Sequence, residues 1–150
     1  MKFWIKTVFY LAGKLGRLVD TIDKEMAELS LCMVSDTFTI FDSMLKLEDK
    51  KRRLCNFKVI RDLMRAGLEL QEKEIVRRHV IRGQTFGEIA SDMDISKSKV
   101  NRIFLEAVKK CEAVAISLTY TEERFEKEYA DIPLVFGTYK KAARKGRFSR

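Results

Sequence analysis

Two helix-start signals stand close together in the middle of this 150-residue chain. Thr85 is followed three residues later by Glu88, the pairing of a capping box, so a helix is expected to begin at Phe86. Ser96 is a second N-cap eleven residues on, and only Met93-Asp94-Ile95 lies between the two helices. Two helices joined by so short a turn make a helix-turn-helix. Ile89, Met93, Ile95, Val100 and Ile103 are apolar where two crossing helices must bury surface, and Ala90 is small where the second approaches the first. Asp94 falls where such a turn needs a left-handed residue, a conformation that aspartate tolerates. Upstream, Ile75, Val76 and Val80 predict a supporting helix over 71–82, ended by Gly83.

The exposed positions of the second helix read Lys97, Ser98, Lys99, Asn101 and Arg102. Arginine and lysine read guanine, asparagine reads adenine, and serine and lysine also bond phosphates. This face favours a DNA-binding helix over a plain helical hairpin. The expected contacts are Lys97, Ser98, Asn101 and Arg102 to base edges and Lys99 to the backbone. Ser96 caps the helix, and Thr85, Phe86 and Gly87 offer helix-start amides to a phosphate.

Charge agrees with a polyanionic partner. Thirty Lys and Arg against 22 Asp and Glu give a net charge of +8 and a pI near 9.5. Four of those eight charges lie in 1–65 and three in 114–150, so the excess sits at the ends. With 46% hydrophobic and 35% charged residues, one proline and seven glycines, the chain reads as folded and all-α, and it lacks the turn residues of a sandwich or barrel.

Three regions are expected. In 1–66, apolar residues at 4, 8, 11, 15, 18, 22, 26, 29 and 33 follow a helical stripe with one stutter, weakened by Gly13 and Gly16. A second helix should run from Asp36 or Thr37 to about Ala66, with Gly67 as its stop. Its run Lys50-Lys51-Arg52-Arg53 reads as a solvated collar or a phosphate contact. The stripe from Trp4 to Ile22 suggests a region for homodimer formation or partner docking. Region 67–112 holds the helix-turn-helix. In 113–150, a helix opened by Thr121 should stop before Pro133, and residues 140–150 read as a mobile basic tail.

Cys32, Cys55 and Cys111 form neither a disulfide framework nor a zinc pattern, and read as reduced thiols of a cytoplasmic protein. His79 is the one histidine, so the usual histidine metal sites are not expected. No phosphate loop or nucleophile–base signature appears, so neither enzyme activity nor a cofactor is expected. The N-terminal apolar run, Val8 to Ala12, is shorter than a signal core or a membrane span. No stable membrane insertion is expected, and a packed helix suits this segment better than an interfacial one.

Residues 72–111 resemble the promoter-recognising C-terminal domain, region four, of bacterial sigma factors. The resemblance rests on Glu72 to Val76, Gly83 and Thr85, Glu88-Ile89-Ala90, Ile95-Ser96, and Ala107 to Lys110. It implies a sigma-like helix-turn-helix that binds double-stranded DNA in the major groove and contacts RNA polymerase. Ser98 and Arg102 depart from the family's common Glu and Gln at base-reading positions, so the usual promoter hexamer should not be read. Asp94 and Glu106 also depart, and His79 stands where the family often has Arg, which suggests an exposed residue. Residues 1–66 match nothing in the family's DNA-melting region. The likeness is therefore to small sigma-like regulators of phages and mobile elements. A phage DNA-packaging or recombination accessory protein and a protein-binding adaptor are the alternatives.

Overall fold

The computed structural model describes residues 3–31 and 36–148. Among them all regular structure is helical: α1 (Phe3–Ala12), α2 (Leu15–Ser30), α3 (Thr37–Ala66), α4 (Leu70–Val76), α5 (Phe86–Met93), α6 (Lys97–Ser117), α7 (Glu122–Tyr129) and α8 (Pro133–Phe148). A π-helical turn, Arg77–Ile81, continues α4. No helix among the described residues is long and apolar enough to cross a membrane.

The apolar stripe expected over 4–33 is divided. The chain turns at Gly13-Lys14, where the Lys14 amide donates to Leu11 O at 2.9 Å. Met33, at the end of the stripe, lies outside the described residues. In α1, Ile5 and Phe9 are buried as well as Trp4, Val8 and Leu11. A helix apolar on nearly every side belongs inside a core. α1 accordingly packs against α3, α6, α8 and the π turn. The expectation that a stripe from Trp4 mediates dimerisation is corrected here, because its first turns are used within the chain. α2 shows the ordinary one-sided pattern and packs on α3, with Ile22 buried and Leu15, Leu18, Met26 and Leu29 half-buried.

α3 begins as expected. Asp36 accepts from the Thr39 amide at 2.8 Å and from its hydroxyl at 2.9 Å, and these bonds hold its carboxyl below the usual carboxylate range. The helix buries Leu47, Leu54, Phe57, Ile60 and Met64, and ends at Gly67. Its basic run is a solvated collar only in part: Arg52 is exposed, but Lys51 and Arg53 are engaged within the chain. Lys51 pairs with Asp23 of α2 at 2.8 Å, while Arg53 bonds Glu128 O and Asp131 Oδ1, each at 2.6 Å. These contacts clamp α3 to α2 and to the end of α7.

The C-terminal region differs most from expectation. α7 lies where Thr121 and Pro133 place it, and Thr121 caps it by accepting from the Arg124 amide at 3.3 Å. The basic tail, however, is helical through Phe148; residues 149 and 150 lie outside the described residues. Pro133 opens this last helix, where its missing N–H costs nothing. Val135 and Tyr139 anchor it in the core, and the Tyr139 hydroxyl lies 2.7 Å from Glu122 and 2.8 Å from Glu126. An aromatic cluster joins the termini: Trp4 lies 5.8 Å from Tyr120 and 6.0 Å from Phe125, and Phe57 stacks on Tyr129 at 4.5 Å. Buried residues of all three sequence regions thus form one cluster.

Between α5 and α6, Asp94 is left-handed, with φ 54° and ψ 47°. The turn is closed by Ile95 N donating to Ala90 O at 3.1 Å. Asp94 is exposed, so Asp94→Gly should leave stability unchanged or raise it by about 1 kcal/mol, because glycine carries no Cβ penalty there. Asp94→Val should lower it by clearly more than about 1 kcal/mol. Urea unfolding of both variants checks this. Loss with glycine and none with valine would contradict the strain argument. Thr119 is a second left-handed residue, at φ 57°, and turns the chain from α6 into α7.

Candidate nucleic-acid interface

α4 and the π turn form the platform of the site. Glu69 and Glu72 make a capping box at the start of α4. Glu72 is buried, and Lys110 of α6 reaches its Oε1 at 2.6 Å, tying the two helices together. Arg77 and Arg78 both bond Glu74 and hold its carboxyl down at about 2. Arg78 also pairs with Asp92 of α5 at 3.0 Å. Gly83, at φ +71°, ends the π turn with a conformation that favours glycine.

α5 starts as predicted. Thr85 Oγ1 accepts from the Glu88 amide at 3.2 Å, and the Thr85 amide donates to Glu88 Oε2 at 2.8 Å. This reciprocity corrects one expectation. The Thr85 amide is already engaged and a carboxylate sits at the helix start, so of the three amides expected to meet a phosphate only those of Phe86 and Gly87 are left. The Phe86 ring is half-buried, stacked 4.5 Å from His79 and 5.4 Å from Phe104, so its side chain holds the helix start in place.

α6 is opened by Ser96, whose Oγ accepts from the Lys99 amide at 3.1 Å. Val100, Ile103, Phe104, Ala107, Val108 and Cys111 fill its inner face. Turning that face inward leaves Lys97, Ser98, Asn101 and Arg102 on one exposed arc, with Lys99 at its edge. The helix runs to Ser117, beyond the end of the 67–112 region expected to hold the helix-turn-helix. Leu105, 41% exposed, and Lys109, also exposed, extend the arc along the spacing Ser98, Arg102, Leu105, Lys109. That period was available in the sequence, but it lies beyond the base-reading positions that the resemblance supplies.

The cations fall into two groups. Arg53, Arg77, Arg78, Lys110 and Arg124 are each bonded to acidic groups of the chain. Lys97, Lys99 and Arg102 make no ion pair among the described residues. Burial pushes the Cys111 thiol up to about 12, so it stays protonated. No group of three or more metal-binding side chains occurs among the described residues. Cys55 is exposed, and Cys32 lies outside the described residues.

His79 is not the exposed residue that the resemblance suggests. Its ring is half-buried between Phe86 and Phe104, Nδ1 lies 2.9 Å from Gln84 O, and Nε2 lies 3.5 Å from Lys6 Nζ. Nδ1–H therefore donates to the carbonyl, and Nε2 keeps its lone pair toward the ammonium. Burial, with Lys6 nearby, lowers the His79 pKa, and burial lowers that of Lys6. A histidine whose folded pKa is depressed is fully stabilising above its unfolded value of about 6.5, and that contribution is lost as pH falls through the folded pKa. Thermal unfolding between neutral and mildly acidic pH should show a falling midpoint that is flatter in His79→Gln. Equal slopes would remove His79 from the acid response.

Comparison with protein-family models, curated proteins and solved structures finds no match. Function must therefore be argued from the site itself.

Proposed function

We propose that this protein is a sequence-specific, DNA-binding transcription regulator of sigma-like type. α5, the turn at Asp94 and α6 act as a helix-turn-helix, and α6 enters the major groove N-terminus first. The observation that carries the proposal is the exposed arc of α6. It presents Lys97, Ser98, Asn101 and Arg102 at the start of a helix whose opposite face is buried, and its cations are not neutralised by acids among the described residues. Arg102 and Asn101 offer the paired donors and acceptors that discriminate bases, while Lys97 and Lys99 supply phosphate attraction. The amides of Phe86 and Gly87 hold a neighbouring phosphate. Contact with RNA polymerase belongs to the same proposal and is carried by the sequence resemblance of 72–111.

The test is selection of duplexes from a random-sequence library with the full chain. Enrichment of one motif, with affinity falling steeply as salt rises, is the expected result. Salt-sensitive binding without enrichment would reduce the protein to a non-specific DNA binder. No retention of DNA at low salt would overturn the proposal.

A further inference from the structure

α3 has a second apolar face that no other described residue covers. Opposite the buried side, Phe38, Phe41 and Leu45 lie at one end, Cys55 and Val59 at the other, and Glu48 and Arg52 between them. The steps from 38 to 59 are 3, 4, 3, 4, 3 and 4, the repeat of a coiled-coil seam. Phe38 is 80% exposed, Phe41 60%, Leu45 54% and Val59 58%. Contiguous exposure of large apolar side chains marks an interaction surface.

The charges in the seam select the partner. We propose that this face binds the same face of a second copy of the chain, antiparallel, with the two-fold axis crossing the seam midway between Glu48 and Arg52. Glu48 then meets Arg52 of the second copy, twice by symmetry. Leu45 meets Cys55 and Phe41 meets Val59, so a larger side chain faces a smaller one at these two layers, and Phe38 lies at the outer end of the seam, at the level of Asp62. A parallel pair would set Glu48 against Glu48 and Arg52 against Arg52, which is repulsive. Glu48 is exposed and makes no ion pair among the described residues. Arg52 is bonded to Asp49 at 2.7 Å, but Asp49 also pairs with Arg53 at 2.9 Å and keeps that partner when Arg52 turns away. The seam lies opposite the side of α3 that packs on the core, so pairing requires no unfolding. This moves the dimer contact from the Trp4 stripe, spent inside the chain, to α3, and it does not depend on the DNA reading.

Sedimentation of the full chain at about 50 µM tests the pairing, at a concentration suited to a micromolar complex. The wild type should run as a dimer. Glu48→Arg and Arg52→Glu should each shift it toward monomer, and the two together should restore the dimer. Under mild oxidation, Leu45→Cys should give a covalent dimer that is lost when Cys55→Ser is added. A monomeric wild type would overturn the proposal. So would a dimer that survives both single charge reversals, or a Leu45→Cys cross-link that persists without Cys55.

Discussion

Phe125→Ala should lower the unfolding free energy by about 3–5 kcal/mol, the range for emptying a fully buried aromatic site. Phe125 is 0% exposed and lies at the meeting point of four helices. Its ring is 6.0 Å from Trp4 of α1, 6.1 Å from Phe57 of α3, 5.3 Å from Tyr129 of α7 and 5.4 Å from Tyr139 of α8. These neighbours are held by their own contacts, so they cannot close the gap without moving helices. Urea unfolding should be followed by far-ultraviolet circular dichroism and by the fluorescence of Trp4, the single tryptophan. Both signals should shift together to lower urea. A shift in fluorescence alone would show that the aromatic cluster is not part of one cooperative core.

Asn101→Ala and Arg102→Ala should each cost about 1–3 kcal/mol on the selected duplex, the value of a good bidentate base contact. On random-sequence DNA the loss should be smaller. Both side chains are exposed on α6, so folding should be unaffected. Lys99→Ala should instead weaken binding to all duplexes alike and reduce its salt dependence. Fluorescence anisotropy with selected and random duplexes separates the cases. Equal losses on both for Asn101 and Arg102 would mean that α6 presents another face to DNA.

Features set by neighbours in sequence were legible before the fold was known. Asp36, Thr85, Ser96 and Thr121 cap the helices they were expected to cap, because each cap is a bond to an amide three residues away. The left-handed Asp94 follows from the spacing of two such caps. The exposed arc of α6 follows from helical periodicity alone. What failed to show was set by distant residues. The stripe in α1 marks one apolar side, but burial of Ile5 and Phe9 depends on several helices converging on it. The segment after Lys140 reads as a tail from its charge, yet Val135 and Tyr139 seat its helix in the core. Arg53 looked like part of a surface run until Asp131, 78 positions later, came within 2.6 Å. His79 gave no sign of the rings that enclose it.

The packing of α6 limits how this protein can be divided. α6 touches α1 and α3 as well as α4 and α5, and Lys6 of α1 lies 5.2 Å from the ring of Phe104. Excising 67–112 would remove the α1 and α3 sides of that packing and cut α6 short at Glu112, before Ala115 and Ser117. α6 is therefore not a transferable cassette. Chimeras that graft it need α1 and α3 as well, and changes in those helices can alter how its exposed arc is presented.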